Sequence, residues 1–139
     1  MRVAEGLLGL LLAWHVTQAA DYQAGREAFL AGDWAAARAA WLAAAEAPEP
    51  EPLAELGLGV LYEHGLGVAR SSAVALHWYR KAAEHGLPEA AYQVGLMFEL
   101  GLGVAQDPWT AEWWYETALG ETFCPGEIPD PLQRITRGP

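Results

Sequence analysis

The chain repeats one glycine-rich phrase at a fixed distance, and this repeat restricts its fold more than any other feature. Tyr62–Val68 reads YEHGLGV, and 36 residues later Phe98–Val104 reads FELGLGV. The correspondence continues without a gap, so that the Trp-Tyr pair at position 78 falls on the Trp-Tyr pair at position 114. Self-similarity at a period of about 20 to 50 residues predicts stacked units, each covering the apolar face of its neighbour.

Apolar residues within each unit recur with helical spacing. In the second half of the first unit they stand at i, i+3, i+4 and i+7, at Ala75, Trp78, Tyr79 and Ala82. This is the stripe of a buried helical face, and the first half of the unit is also helical in spacing, so each unit is predicted to be a pair of helices. Boundary signals agree: we expect N-caps at Ser71 or Ser72 and at Asp107, and helix stops at Gly86 and Gly120.

The four glycines of the repeated phrase are predicted to form structural corners between the paired helices. Glycine supplies the positive φ that a tight turn needs, and the positions are Gly65, Gly67, Gly101 and Gly103. A phosphate-binding loop would normally follow a strand, and no strand-like alternation precedes either copy. Two further glycines, Gly59 and Gly95, lie inside predicted helices, where glycine costs about 1 kcal/mol relative to alanine. We expect Trp78 and Trp114 to pack against them.

An earlier segment resembles a degenerate third unit, with helices over 21–30 and 33–46 and with Gly32-Asp33 as the turn and the N-cap of the second helix. The predicted fold is therefore all-α, an α/α solenoid of about three helical hairpins. Its divisions are a signal peptide at 1–19, a tetratricopeptide-like hairpin at 20–47, repeats at 53–87 and 88–120, and a C-terminal tail at 121–139 that can form a short capping helix.

The first nineteen residues have the layout of a secretory signal peptide: a basic start, an apolar stretch over 7–16, and small residues before position 20. The apolar stretch is shorter than the roughly 20 residues that span a bilayer. We therefore expect an exported, periplasmic or secreted protein, with a retained membrane anchor as the alternative. Cys124 is the single cysteine, which predicts a free thiol or a disulfide with another chain.

Charge and residue spacing argue against several functions. The net charge is −10, and clustered Lys and Arg that would bind phosphate backbones are missing, so nucleic acid is not an expected partner. The mature histidines His64, His77 and His85 show neither HxxxH nor CxxC spacing, so we expect no metal and no cofactor. Glu63 and Glu99 precede successive corners and are interpreted as corner or helix-face residues rather than a catalytic pair.

The repeated residues resemble the Sel1-like repeat, a subclass of the tetratricopeptide-type helical hairpins. The pattern appears in 54–86 as Leu-Gly, a tyrosine, GLGV, Trp-Tyr and KAAEHG, and again in 90–120 with Val-Gly, a phenylalanine, GLGV and Trp-Tyr. The second copy lacks the closing Lys-Ala-Ala-Glu, which suggests that the array stops after residue 120. The resemblance implies a right-handed superhelix that binds protein partners, and it offers no catalytic residues, so an enzyme is not expected.

The first helices of such hairpins usually line a concave wall, which makes their outer positions candidates for partner binding. The candidates are Leu56, Val60, His64, Tyr92, Gln93, Leu96, Met97 and Leu100. The alternative is that these residues contact the preceding helix pair. With only three hairpins the exposed ends are large, so association of the protein with itself or with a larger assembly is also expected.

Trp109 and Trp113 are not required by the repeat and lie four residues apart on the last predicted helix. Tryptophan is enriched at binding hot spots, so they are candidates for an exposed partner-binding patch. They could instead stack on a glycan or small molecule, or be covered by the tail through Leu132 and Ile135. The sequence leaves these three alternatives open.

Overall fold

The computed structural model describes residues 21–120 and 135–136. Helices occupy nearly all of this part of the chain: α1 (21–31), α2 (Trp34–Ala45), α3 (Pro52–His64), α4 (Ser72–Glu84), α5 (Pro88–Leu100) and α6 (Pro108–Leu119). Each helix from α2 to α5 packs on the next one along the chain. The predicted all-α solenoid of three hairpins is confirmed. The leader 1–19, Cys124, Leu132 and the predicted start of a tail helix at 130–131 lie outside the described residues.

The predicted helix starts are confirmed by capping hydrogen bonds. Asp33 accepts from the Ala36 amide, and Ser71 accepts from the Val74 amide at 3.3 Å. Asp107 accepts from the amides at the start of α6 and from the Thr110 hydroxyl, which lowers its carboxyl pKa below the ordinary value. These bonds satisfy amides that have no partner inside the helix.

The GLGV corners form tight turns between paired helices, as predicted, and they also contact the preceding hairpin. Gly65 and Gly101 end α3 and α5 with φ of 66° and 70°, and the second glycine of each corner has a positive φ as well. A Cβ atom on Gly67 would lie 2.5 Å from the Trp34 Cβ at the start of α2. A Cβ on Gly103 would clash with the backbone of Ser72 and Ala73 at the start of α4. Each corner therefore rests on the first turn of the second helix in the preceding hairpin.

The glycines inside helices face tyrosine rings, and the prediction that Trp78 and Trp114 cover them is wrong. A Cβ on Gly59 would lie under 3.0 Å from the Tyr79 ring, and one on Gly95 would meet the Tyr115 ring in the same way. One residue along a helix turns the side chain by about 100°, so only one member of each Trp-Tyr pair can point at the partner helix. Trp78 and Trp114 are nevertheless buried, as the predicted core positions require.

The first hairpin uses a tryptophan where the later ones use tyrosine. The Trp41 ring, fully buried, packs on Gly25 of α1 and on Gly57 of α3, and its indole nitrogen donates to the Tyr22 carbonyl at 3.3 Å. The larger ring thus contacts two hairpins at once.

The last described residues return to the first helix. Ile135 is fully buried and belongs to the hydrophobic core. The Arg26 guanidinium of α1 donates to the carbonyl oxygens of Ile135 at 2.6 Å and Thr136 at 3.1 Å. Burial of Ile135 agrees with the prediction of an inward-facing tail residue.

Candidate protein-binding surface

Exposed large apolar side chains are concentrated in the last hairpin. Among the described residues, five such side chains are exposed, and four of them lie between the end of α5 and the middle of α6: Leu100, Leu102, Trp109 and Trp113. The fifth is Leu30 on α1. Exposed apolar surface concentrated in one region is typical of a site of association.

A groove of about 250 Å³ opens on the same hairpin, and we call it the end groove. Its walls come from both helices and are formed by Tyr92, Leu96, Glu99, Tyr115 and Leu119. The rings of Tyr92 and Tyr115 are 5.2 Å apart between centroids and tilted by 41°. The groove brings together two of the residues predicted from sequence, Tyr92 and Leu96, with three that the prediction omitted.

The residues at the equivalent positions of the preceding repeat show what the end groove is. They are Leu56, Val60, Glu63, Tyr79 and Ala83, and all except Glu63 are buried. In that repeat the next hairpin begins with α5, which packs on α4. The end groove is therefore the stacking face of the repeat, without a following Sel1-type hairpin among the described residues.

This comparison corrects part of the predicted groove. Leu56, Val60 and Met97 are at most 2% exposed, so they cannot line an open surface. They belong instead to the hydrophobic core of the stack. Tyr92, Gln93 and Leu96 are half-buried, and His64 and Leu100 are exposed, so these five stay candidates.

The wall of the end groove contains a hydrogen-bonded pair that sequence reasoning did not identify. The Tyr115 hydroxyl donates to the Glu99 carboxylate, and the preceding repeat has the same pair in Tyr79 and Glu63. Burial and the neighbouring Glu99 raise the pKa of Tyr115 far above its ordinary value. Tyr115 therefore stays a neutral donor. The equal 16-residue spacing in both copies was the available signal.

The two tryptophans of α6 form a separate exposed surface, which we call the tryptophan face. Trp109 is 82% exposed and Trp113 is 56% exposed, and the Trp113 ring meets the buried Trp114 edge-on at 4.7 Å. Ile135 is held at Arg26 of α1, and even so Trp109 keeps most of its surface open. The prediction of an exposed aromatic pair agrees with these exposures.

A buried carboxylate is the second feature missing from the sequence prediction. Glu55 of α3 is fully buried, and one carboxylate oxygen lies 2.7 Å from Nδ1 of His85, while the other has no hydrogen-bond partner. Burial raises the pKa of Glu55, and the contact with His85 opposes this rise. Because the second repeat has Ala91 in place of Glu55, the repeat pattern could not reveal the pair.

The histidines are not brought together into a site. His64 lies 3.9 Å from Glu63, His85 contacts Glu55, and the His77 ring packs against Trp78 at 5.4 Å. Within 21–120 and 135–136, no group of three or more His, Cys, Asp or Glu side chains is arranged to hold a metal ion.

The two repeats differ sharply in charge. Residues 52–87 contain three carboxylates, three Lys or Arg, and no net charge with histidine neutral. Residues 88–120 contain no Lys, Arg or His and carry five carboxylates, at Glu89, Glu99, Asp107, Glu112 and Glu116. The hairpin that exposes apolar surface is thus also the most acidic one.

In the part of the chain that the structure describes, no helix combines the length and apolarity needed to cross a membrane.

Comparison with known proteins identifies relatives that share this architecture. The family model "Sel1 repeat" matches residues 52–87 and 88–119. A crystal structure of a Sel1 repeat protein from Oxalobacter formigenes is similar to this chain, with a TM-score of 0.59 and 33% sequence identity. That match covers 68% of this chain and 38% of the other, so this chain spans less than half of that protein's length. No curated protein shows significant sequence similarity. The two matched repeats and the shared helical solenoid show that the chain belongs to the Sel1 repeat family.

Proposed function

We propose that this protein is a non-catalytic, exported scaffold or adaptor that binds another protein through its last hairpin. Sel1 repeat proteins generally act as interaction scaffolds, which supports the class of function. The observation that supports the location is the grouping of exposed apolar side chains on α5, α6 and their corner. Export rests on the signal-like leader at 1–19 alone.

The previous repeat strengthens the assignment because it lacks these exposed groups. Leu100 stands where the first repeat has His64, Trp109 where it has Ala73, and Trp113 where it has His77. Stacking alone cannot explain the difference, since the first-repeat positions are exposed too. The larger apolar side chains were therefore not required by the fold, which favours a role in recognition.

Site-specific photo-crosslinking in the native cells tests this function. A photoreactive amino acid replaces Leu100 or Trp113 in the full chain, and the control replaces Leu30, which is similarly exposed on α1. We expect the two last-hairpin positions to give an adduct with the same discrete protein and Leu30 to give none. Absence of such an adduct, or an equal pattern at Leu30, would contradict the proposal. The intact mass of the exported protein shows whether residues 1–19 are removed or kept as an anchor.

The exposure of Trp109 and Trp113 also supports a second candidate, a periplasmic module that binds a glycan or small molecule by stacking on these rings. Titration of the tryptophan fluorescence with soluble cell-wall fragments tests it. A saturable change that is lost in Trp109→Ala, while the crosslinked protein adduct is missing, would favour this candidate over the scaffold.

A further inference from the structure

We propose that the end groove is a docking site for a basic amphipathic helix of a partner protein, a conclusion that deepens the proposed scaffold function and rests on it. The end groove is the surface formed by Tyr92, Leu96, Glu99, Tyr115 and Leu119. Three observations lead to this occupant: the geometry of stacking, the residues that replace buried ones, and the charge.

The stacking geometry indicates that a helix fits the groove. In the preceding repeat all the equivalent positions except Glu63 are buried, and there a following helix, α5, packs on α4. The corner of that next hairpin rests on Ser72 and Ala73, the first residues of α4. Their counterparts at the start of α6 are Pro108 and Trp109, both exposed. The face and its rim are thus preformed for a helical element and remain accessible.

One substitution within the repeat points away from another ordinary repeat as the occupant. Leu76 of α4 is buried, and its counterpart on α6 is the exposed Glu112, which follows the helical spacing of Tyr115 and Leu119. A neutral apolar helix would bury this carboxylate without a partner, at considerable cost. A helix that brings a Lys or Arg side chain to Glu112 avoids that cost.

The charge of the hairpin leads to the same chemistry. Glu99 lies in the groove wall, and Glu112 lies one helical turn before Tyr115 on α6, a position we call the groove's edge. Both belong to a repeat that has five carboxylates and no Lys or Arg. A second copy is a poor complement: its last repeat is equally acidic, residues 21–47 carry four carboxylates against two arginines, and residues 52–87 balance three carboxylates with three Lys or Arg. A positively charged apolar helix is the complementary partner, and such segments bind grooves through residues at i, i+3, i+4 and i+7.

A designed peptide supplies the probe. It has roughly 16 residues, enough for about four helical turns, with Leu at i, i+3, i+4 and i+7 and Lys at the remaining positions. A second peptide has the same Leu positions and Glu in place of Lys. Binding to the full chain is followed by fluorescence anisotropy at about 0.15 M salt, where the Debye length is about 8 Å and distant charges contribute little.

Matched variants locate the binding. Leu96→Lys and Glu112→Lys alter the groove and its edge, while Leu30→Lys and Glu27→Lys make the same changes in charge on the exposed surface of α1. We expect the groove variants to weaken binding of the Lys peptide at least tenfold and the α1 variants to change it by less than twofold. Because Glu112 is exposed, Glu112→Lys keeps the test valid if Leu96→Lys disturbs the fold, which circular dichroism reports.

Several results would overturn the proposal. Equal weakening by all four variants would mean attraction to the net charge of the whole protein. If the Glu peptide binds as tightly as the Lys peptide, the groove does not select a basic helix. A photoreactive residue at position 96 that crosslinks to residues 121–134 of its own chain, or to a second copy, would identify another occupant. If the Lys peptide fails while Leu100 and Trp113 still crosslink to a native protein, this inference is wrong and the scaffold function stands.

Discussion

The hydroxyl of Tyr79 donates a 2.5 Å hydrogen bond to the carboxylate of Glu63, and the pair recurs 36 residues later as Tyr115 and Glu99. In both repeats the bond joins the second helix of a hairpin to the first. The same tyrosine ring covers the glycine inside the partner helix, Gly59 or Gly95. Each repeat therefore closes its hairpin with one side chain that packs with its ring and bonds with its hydroxyl.

Removing the Tyr79 hydroxyl should destabilise the protein more than removing that of Tyr115. Tyr79→Phe deletes a bond to a partly buried carboxylate, and bonds to charged groups contribute about 1.5 to 3 kcal/mol. Tyr115→Phe acts at the exposed end groove, where we expect less than about 1 kcal/mol because water can replace the donor. Urea unfolding of both variants measures the difference, and a cycle with Glu63→Gln assigns it to the pair. Equal losses would contradict the difference in burial.

The two kinds of glycine should respond differently to alanine. Gly86 has a φ of 93° with open space around it, so Gly86→Ala should cost only the backbone strain, about 1 to 2 kcal/mol. Gly103 has a φ of 69° and would also place its Cβ against the backbone of Ser72 and Ala73. Overpacking adds about 1 to 3 kcal/mol, so Gly103→Ala should lose roughly twice as much. Thermal unfolding compares the pair, and similar midpoints would mean that the corner does not rest tightly on α4.

Glu55 should make the stability depend on pH. Because burial raises its pKa in the folded protein above the ordinary 4.5, the folded state binds the proton more tightly than the unfolded chain. The resulting stability is fully present below about pH 4.5 and is lost as the pH rises through the folded-state pKa. Each unit of elevation corresponds to about 1.4 kcal/mol.

Glu55→Gln should therefore remove this dependence and be more stable than the parent at pH 7 and above. Glutamine retains groups that can hydrogen-bond His85 and carries no charge to bury. Urea unfolding between pH 4 and 8 provides the measurement, with the exposed Glu112→Gln as the control for loss of one negative charge. A Glu55→Gln profile parallel to that of the parent would refute the role of burial.

Ile135 should contribute to the stability of the solenoid although it is far from the repeats in sequence. Its side chain is fully buried, and Ile→Ala substitutions in cores cost about 2 to 5 kcal/mol. Leu30→Ala on α1, where the parent side chain is 53% exposed, should cost less than about 0.5 kcal/mol. Urea unfolding of the two variants measures both losses of stability. An Ile135→Ala variant as stable as Leu30→Ala would show that the contact with α1 contributes nothing.

Local sequence signals were sufficient for the helices and their boundaries. The caps at Asp33, Ser71 and Asp107 and the corners at Gly65 and Gly101 depend on bonds and dihedral angles between residues a few positions apart. The 36-residue period then predicted the stacking, because units of similar sequence pack on one another in a similar way. For this reason the solenoid was predictable. The prediction that Trp78 packs on Gly59 was wrong because the neighbouring residue, Tyr79, points about 100° further round the helix and faces the glycine.

The candidate binding surface could be identified only from the tertiary structure, because the exposure of a residue depends on whether a following hairpin packs over it. Leu56 and Tyr92 hold the same position in the repeat, yet Leu56 is fully buried and Tyr92 borders an open groove. The sequence by itself determined the hairpins, their order and the acidity of the last repeat. Only the packed structure decided which stacking face stays open, since burial is a property of neighbours that are distant along the chain.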